Sequence, residues 1–432
     1  MTTTTSTTAV PPTQSVRLAR LTRAAAEQGD VFRNRGRLIF CHPDAVRDIL
    51  VTHDRSFGKA PMLRWARWTL GQGLLTADGD LHRRQRPLIQ PALHPKRLAG
   101  YADAMARHAA AVDWTDGQSI DAHHELMAVT LHIVAEALFG AALGPEADAI
   151  SVAMDYNVRA FLRVIAPFGV IRALIPSPFG VRYLLSRRKL LNVLRRFIAQ
   201  RRASGEARDD LLGRLLSART PDGRPAMGER QLIDECVTLF AAGHETTAGT
   251  LTYTLWLLAH HPQVQAKLAD EVDGVLPTPD ALPTIEHVDR LPYTRQVLSE
   301  SMRLFPPAWL QGRQALADVT VNGTPVRKGQ VAMVTQWVTH RDARWWSRPD
   351  VFDPDRFATD DPDRPRWAYF PFGGGSRVCV GEAFAWAEMV LVLSTLVRRW
   401  RFQPMPTDGP LKLEPGITLR PGGPVELRVR RR

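Results

Sequence analysis

Three groups of residues in this sequence have types and spacings that could do chemistry. The first is FGGGSRVCVG, residues 372–381, where Cys379 follows Arg377 in a glycine-rich loop. The stretch after it, GEAFAWAEMVLVLSTLVRRW, reads as a strong helix, so the cysteine is presented at a helix N-terminus. Read alone, GGGS looks like a flexible linker, and a lone cysteine is usually a small buried hydrophobe. The helix that follows argues against a linker. Free amides and the positive end of the helix dipole favour a thiolate at Cys379, and Arg377 adds charge. Gly373, Gly374, Gly375 and Gly381 would let the backbone approach the sulfur closely. A nucleophilic cysteine would need a basic partner, and no cysteine-protease signature accompanies this one. A thiolate serving as the single protein ligand of a metal fits better, and haem iron is the usual case.

The second group is AAGHETTAG, residues 241–249, inside a proline-free stretch from about 229 to 260 that reads as one long helix. Ala242 and Gly243 are small enough for a flat cofactor or substrate to approach the backbone, although mid-helix glycine costs about 1 kcal/mol relative to alanine. Glu245 and Thr246 are an acid and an alcohol that could relay protons. Thr246 is too deep in the helix to act as a cap. His244 reads equally well as a hydrogen-bonded side chain directed elsewhere. The third group is charged: Glu300 and Arg303 in ESMR, His82 and Arg86 on one face of GDLHRRQRPLIQPAL, and Arg313 in GRQALADV. An exposed i,i+3 ion pair is common and worth under about 1 kcal/mol, so ExxR alone says little.

The elements that must position these groups are mostly helical. A short helix ends at Gly29, two strands follow around an NRG turn, and helical patterns dominate from PDAVRDILVTH onward. Residues 58–78 are loop-rich. The apolar segment from about 159 to 200 is broken by proline and glycine in APFGVIRALIPSPFG, so it is not one helix. LPYTRQVLSESMRLFPP is a helix stopped by two prolines, and ADVTVNGTPVRKGQVAMVT reads as a small sheet. No internal repeat or long linker divides the chain. The expectation is a mainly α fold with small β-sheets, one domain over 17–432, behind a disordered polar tail, residues 1–16.

Taken together, the motifs resemble those of the cytochrome P450 family. Phe372, Gly375, Arg377, Cys379 and Gly381 match its haem-binding signature F-x-x-G-x-R-x-C-x-G. Ala242, Gly243, Glu245, Thr246 and Thr247 match its oxygen-activating motif A/G-G-x-D/E-T-T. The resemblance runs from about residue 17 to 430. It implies the P450 fold, a single domain enclosing haem b, with Cys379 as the iron ligand. It implies that Thr246 and Glu245 supply protons as the O–O bond of dioxygen breaks. Glu300 and Arg303 become the family's E-x-x-R helix, and Arg356 of PDRF the third member of a buried structural cluster. His82, Arg86, Arg313 and Arg377 are the implied partners of the haem propionates. Ala242, Gly243, Phe372, Gly375 and Gly381 are implied to border the cofactor. The implied activity is a monooxygenase inserting one atom of O2 into a hydrophobic small molecule.

Composition bounds the partners. The chain has 432 residues, is 44% hydrophobic and carries a net charge of +12. Nearly all its cations are arginines scattered through alanine-rich sequence, with no aromatic-interleaved basic stretch, so nucleic acid is not an expected partner. Cys41, Cys236 and Cys379 form neither a disulfide framework nor a zinc pattern, which suits a reducing cytoplasm. No signal-peptide core and no run of about 18 apolar residues occurs, so no integral membrane anchor is expected. Family position assigns the pocket to Met62, Leu63, Trp65, Trp68, Phe161, Phe168, Phe240, Ala241, Trp309, Leu310 and Ile417. Their apolar character favours a terpene or similar secondary metabolite over a fatty acid or polyketide. A haem-thiolate gas or redox sensor, which usually carries an output domain, is the non-enzyme alternative. With no flavin or nicotinamide fingerprint, electrons are expected from a separate ferredoxin, docking on Arg83, Arg84, Arg398 and Arg399 of a monomer.

Overall fold

A computed structural model describes residues 13–144, 147–164, 169, 175, 177–206, 208–276, 278, 280–406 and 409–432. Its longer helices among those residues are α1 (Val16–Gln28), α2 (Gly79–Ile89), α3 (Ala99–Ala110), α4 (Ala122–Phe139) and α5 (Ala147–Val164). They continue with α6 (Pro178–Ser204), α7 (Glu229–His260), α8 (Pro262–Val275), α9 (Pro292–Leu304) and α10 (Glu382–Arg399). Local sequence explains most of the boundaries. Gly29 ends α1 with a φ of 84° that a side chain would resist, and its N–H bonds the Ala25 carbonyl. The Ser177 hydroxyl accepts from the Gly180 N–H (3.1 Å) at the start of α6. Pro262 and Pro292 open their helices at positions where the missing N–H costs nothing.

The main sheet has five strands: β1 (Val31–Asn34), β2 (Arg37–Phe40), β3 (Phe57–Lys59), β4 (Gln311–Ala315) and β5 (Val331–Val334). Their order is β1-β2-β5-β4-β3. β2 pairs in parallel with β5, and β5 antiparallel with β4, placing Arg313 opposite Ala332. The small sheet expected from residues 317–335 divides. Val319–Val321 and Thr324–Val326 form a hairpin around Asn322 and Gly323, both at positive φ, while β5 leaves it for the main sheet. Thr13 and Gln14, inside the stretch expected to be a polar tail, pair in parallel with Leu411 and Lys412, so their backbone groups find a partner strand. Residues 1–12 lie outside the described residues.

The chain forms two compact units, each assembled from separate segments. The first holds residues 1–58, 105–126 and 246–432, and the second 59–104 and 127–245. In the first, Phe40, Val46, Leu50, Phe57, Val334 and Phe370 pack into one apolar cluster under the sheet. Burying a side chain of this size is worth roughly 1.5–3 kcal/mol. Leu50 and Phe370 also touch the cysteine loop, at Gly375 and Gly373. The second unit has an aromatic core in which the rings of Phe139 and Phe240 meet edge-on, 5.7 Å apart.

Candidate active site

Cys379 lies three residues before α10 and is exposed, whereas Cys41 and Cys236 are buried. Burial pushes both of those thiols up, so neither is a thiolate. The loop ahead of Cys379 is held by its own backbone. Gly373 N–H donates to Phe370 O (3.0 Å), Val378 N–H to Gly375 O (3.1 Å) and Cys379 N–H to Phe372 O (3.0 Å). Gly373 and Gly375 take positive φ, 75° and 67°. A Cβ on Gly375 would collide with the Leu50 carbonyl, and one on Gly374 would lie 2.5 Å from the Trp367 ring. Gly374 and Gly375 therefore seat the loop on the core beneath it. Gly381 has neither constraint: its φ is −96° and nothing lies within 4 Å of where a Cβ would stand. Phe372 packs against Trp386 of α10, ring centres 5.9 Å apart. Ser376 N–H and an Arg377 guanidinium nitrogen reach Asp54, at its carboxylate (3.2 Å) and carbonyl (3.4 Å).

A second layer fixes that loop from behind. Glu300 and Arg303 are both fully buried on α9, with Arg303 Nε and Nη2 donating to the carboxylate at 2.7 and 2.8 Å. Arg356 Nε and the Asp353 N–H complete the carboxylate's bonds, each at 3.0 Å. The Glu–Arg–Arg cluster expected from E-x-x-R and PDRF is present. Arg303 Nη1 also donates to His340 O (2.9 Å), and His340 Nε2 accepts from the Phe370 N–H (3.0 Å). Burial, reinforced by Arg303 and Arg341, holds that imidazole neutral, far below its ordinary pKa, as an accepting nitrogen requires. A continuous set of bonds thus runs from α9 to the start of the cysteine loop.

On α7, Ala242 is exposed and Gly243 and Thr246 are half-exposed, an open strip in a helix otherwise largely buried. Glu245 is buried, 7% exposed. Gly243 also seats α7 on α4, since a Cβ there would stand 3.1 Å from Val134 Cγ2. His244 points away from the strip: its Nε2 bonds Met127 O at 2.8 Å, and its carbonyl accepts from Thr130 Oγ1 (3.1 Å). Thr250 Oγ1 back-bonds to Thr246 O (3.0 Å), a contact that bends helices. On α2, His82 is buried and Arg86 half-buried one turn later, while Arg83 and Arg84 are exposed. Arg313 is buried on β4.

Other expectations fail or fall elsewhere. Phe240 is core, fully buried against Phe139, because its position on α7 faces α4. Trp309 is also buried, its indole N–H bonded to Gly416 O (3.2 Å) and its ring covered by Arg17 at 4.8 Å. Arg398 donates to Ala281 O (2.9 Å) and Thr278 O and lies near Asp273, and Arg399 donates to Ala110 O, so both are spent inside the protein. Phe168 and the side chains of Trp68 and Phe161 lie outside the described residues. Sequence reasoning missed Glu388, fully buried on α10, where burial pushes its carboxyl up to about 8 against the pull of the Thr247 hydroxyl. Its signal was there to read: one acid within the apolar run AWAEMVLVL.

Among the described residues no group of three or more histidine, cysteine or acidic side chains could hold a metal. A metal at Cys379 would draw one ligand from the protein, which fits haem iron and its porphyrin. The cytochrome P450 family model matches residues 24–428. The chain belongs to the cytochrome P450 family. As such it is a haem-dependent monooxygenase with the P450 fold. It is 37% identical over 396 residues to cyclooctatin synthase of Streptomyces melanosporofaciens, covering 87% of this chain and 85% of that protein. It is 34% identical over 374 residues to cyclooctat-9-en-7-ol 5-monooxygenase of the same organism, covering 85% and 80%. Pentalenene oxygenase of Streptomyces avermitilis is 34% identical over 394 residues, covering 88% and 83%. No helix among the described residues of this P450 is long and apolar enough to cross a membrane.

Proposed function

We propose that this P450 oxidises a terpene hydrocarbon or terpene alcohol. Similarity to relatives named for pentalenene and cyclooctat-9-en-7-ol carries the reading. Haem, when bound, supplies the activation of dioxygen. Cys379 is its iron ligand, presented on a loop held by its own backbone bonds and seated on Leu50 and Trp367. His82, Arg86, Arg313 and Arg377 neutralise the propionates. Phe372, Gly375, Gly381, Ala242 and Gly243 are the residues we assign to border the cofactor. Glu245, buried on α7, holds the proton, and the Thr246 hydroxyl passes it on. Electrons come from a separate ferredoxin, drawn by the exposed Arg83 and Arg84 in a cytoplasmic, monomeric enzyme.

Titrating purified protein with cyclic terpenes is expected to move the haem iron from low to high spin, with fatty acids and polyketides giving no shift. A shift with fatty acids alone would replace the terpene reading by fatty-acid hydroxylation. Thr246→Ala is expected to lower product formed per electron consumed; unchanged coupling would remove Thr246 from the proton route. Turnover with a ferredoxin that does not fall as salt rises would contradict the cationic docking face.

A further inference from the structure

The loop from Gly71 to Asp78, which leads into α2, is bound to α7 by a set of side-chain to backbone hydrogen bonds. Asp234 and Glu235, neighbours on α7, accept backbone N–H groups of this loop: Gln72 N–H to Asp234 Oδ2 (2.9 Å) and Leu74 N–H to Glu235 Oε2 (2.8 Å). The Gln72 carbonyl accepts from Gln231 of α7 (2.9 Å) and from Gln85 of α2 (3.1 Å). Lys59 Nζ donates to the carbonyls of Leu74 (2.6 Å) and Leu75 (2.8 Å), while its own N–H bonds Asp78 (2.8 Å), the residue that precedes α2. Two glycines permit the close fit. A Cβ on Gly71, at φ 74°, would strike the Asp234 carboxylate, and one on Gly73 would strike Thr238 and the Asp234 carbonyl.

We infer that Asp234 and Glu235 are positioning residues that latch this loop to α7, and through it set the start of α2, with a hold that tightens as pH falls. The charged groups facing Glu235 are Lys59 from β3 and Asp234 beside it, and the next residue, Cys236, is a buried neutral thiol. Glu235 is fully buried, and burial raises its carboxyl from 4.5 to about 7, although the Leu74 N–H, Gln231 and Lys59 pull the other way. The latched state therefore binds a proton that an opened, hydrated Glu235 releases. Opening is favoured as pH rises from the ordinary carboxylate range to about 7, and acid closes the latch. The inference does not depend on the substrate.

The test is amide hydrogen exchange on the haem-loaded protein, with protection corrected for the intrinsic pH dependence of exchange. Protection of the Leu74 amide is expected to fall by roughly 50-fold from pH 5 to pH 8, while α10 core amides show no such slope. In Glu235→Gln the Leu74 amide is expected to stay protected with the slope gone. In Asp234→Asn, Gln72 protection is expected to drop several-fold with the Leu74 slope retained. A flat Leu74 profile in the unmodified protein, or a slope that survives Glu235→Gln, overturns the latch. First-turn amides of α2 that fail to follow Leu74 overturn its reach to that helix.

Discussion

Two carboxylates of the same unit are equally buried and differently treated. Glu300 on α9 receives three guanidinium N–H groups and one backbone N–H, all between 2.7 and 3.0 Å. Glu388 on α10 has no hydrogen bond of ordinary geometry to either oxygen among the described residues, and its carboxyl is pushed up to about 8. Equal burial therefore does not dictate equal partners in this P450. The arginine forks make Glu300 a hydrogen-bonded hub that braces the cysteine loop through His340 and Phe370, whereas Glu388 lacks one and burial pushes its carboxyl up to about 8.

The contrast can be broken at either end. Arg303→Met strips two bonds from a buried carboxylate and is expected to cost about 3–5 kcal/mol. Urea unfolding should read that loss, together with poor haem loading, and a loss under about 1 kcal/mol would mean the cluster is solvated. Arg356→Met removes one bond of the same carboxylate and should cost less than Arg303→Met; the reverse order would misplace the hub. Glu388→Gln works in the other direction. Because the folded pKa of Glu388 lies above its unfolded value of 4.5, its contribution is fully present below about that pH and is lost as pH rises to about 8. The glutamine variant should therefore gain on the unmodified protein between pH 5 and pH 9, by on the order of 3 kcal/mol, in paired denaturation curves. A constant gap would show that Glu388 is charged throughout. Smallest is Thr247→Val, which should raise the midpoint of that pH dependence slightly by removing the one hydroxyl that opposes burial.

What could be read in advance follows the same division. The E-x-x-R pair and Arg356 were legible because a short spacing puts Glu300 and Arg303 on one turn, and the family resemblance supplied their long-range partner. The helix limits at Gly29, before Pro262 and before Pro306 were legible for similar local reasons. The purposes of Gly374 and Gly375 were not, since Trp367 and Leu50 reach them only in the fold. Arg398 could not be told from a surface cation because its acceptors, Thr278 and Ala281, lie more than a hundred residues away in sequence. The latch of Asp234 and Glu235 was hidden for that reason too: its donors are backbone N–H groups some 160 positions upstream, and backbone groups leave no mark on composition.

The central claim, that Cys379 presents a thiolate to haem iron, is tested most directly by the absorption spectrum of the reduced, CO-bound protein. The unmodified enzyme is expected to show the red-shifted Soret band of a thiolate-ligated haem, and Cys379→His to retain haem while losing that band. A band that survives Cys379→His, or its absence from the folded, haem-loaded wild-type protein, would contradict the assignment.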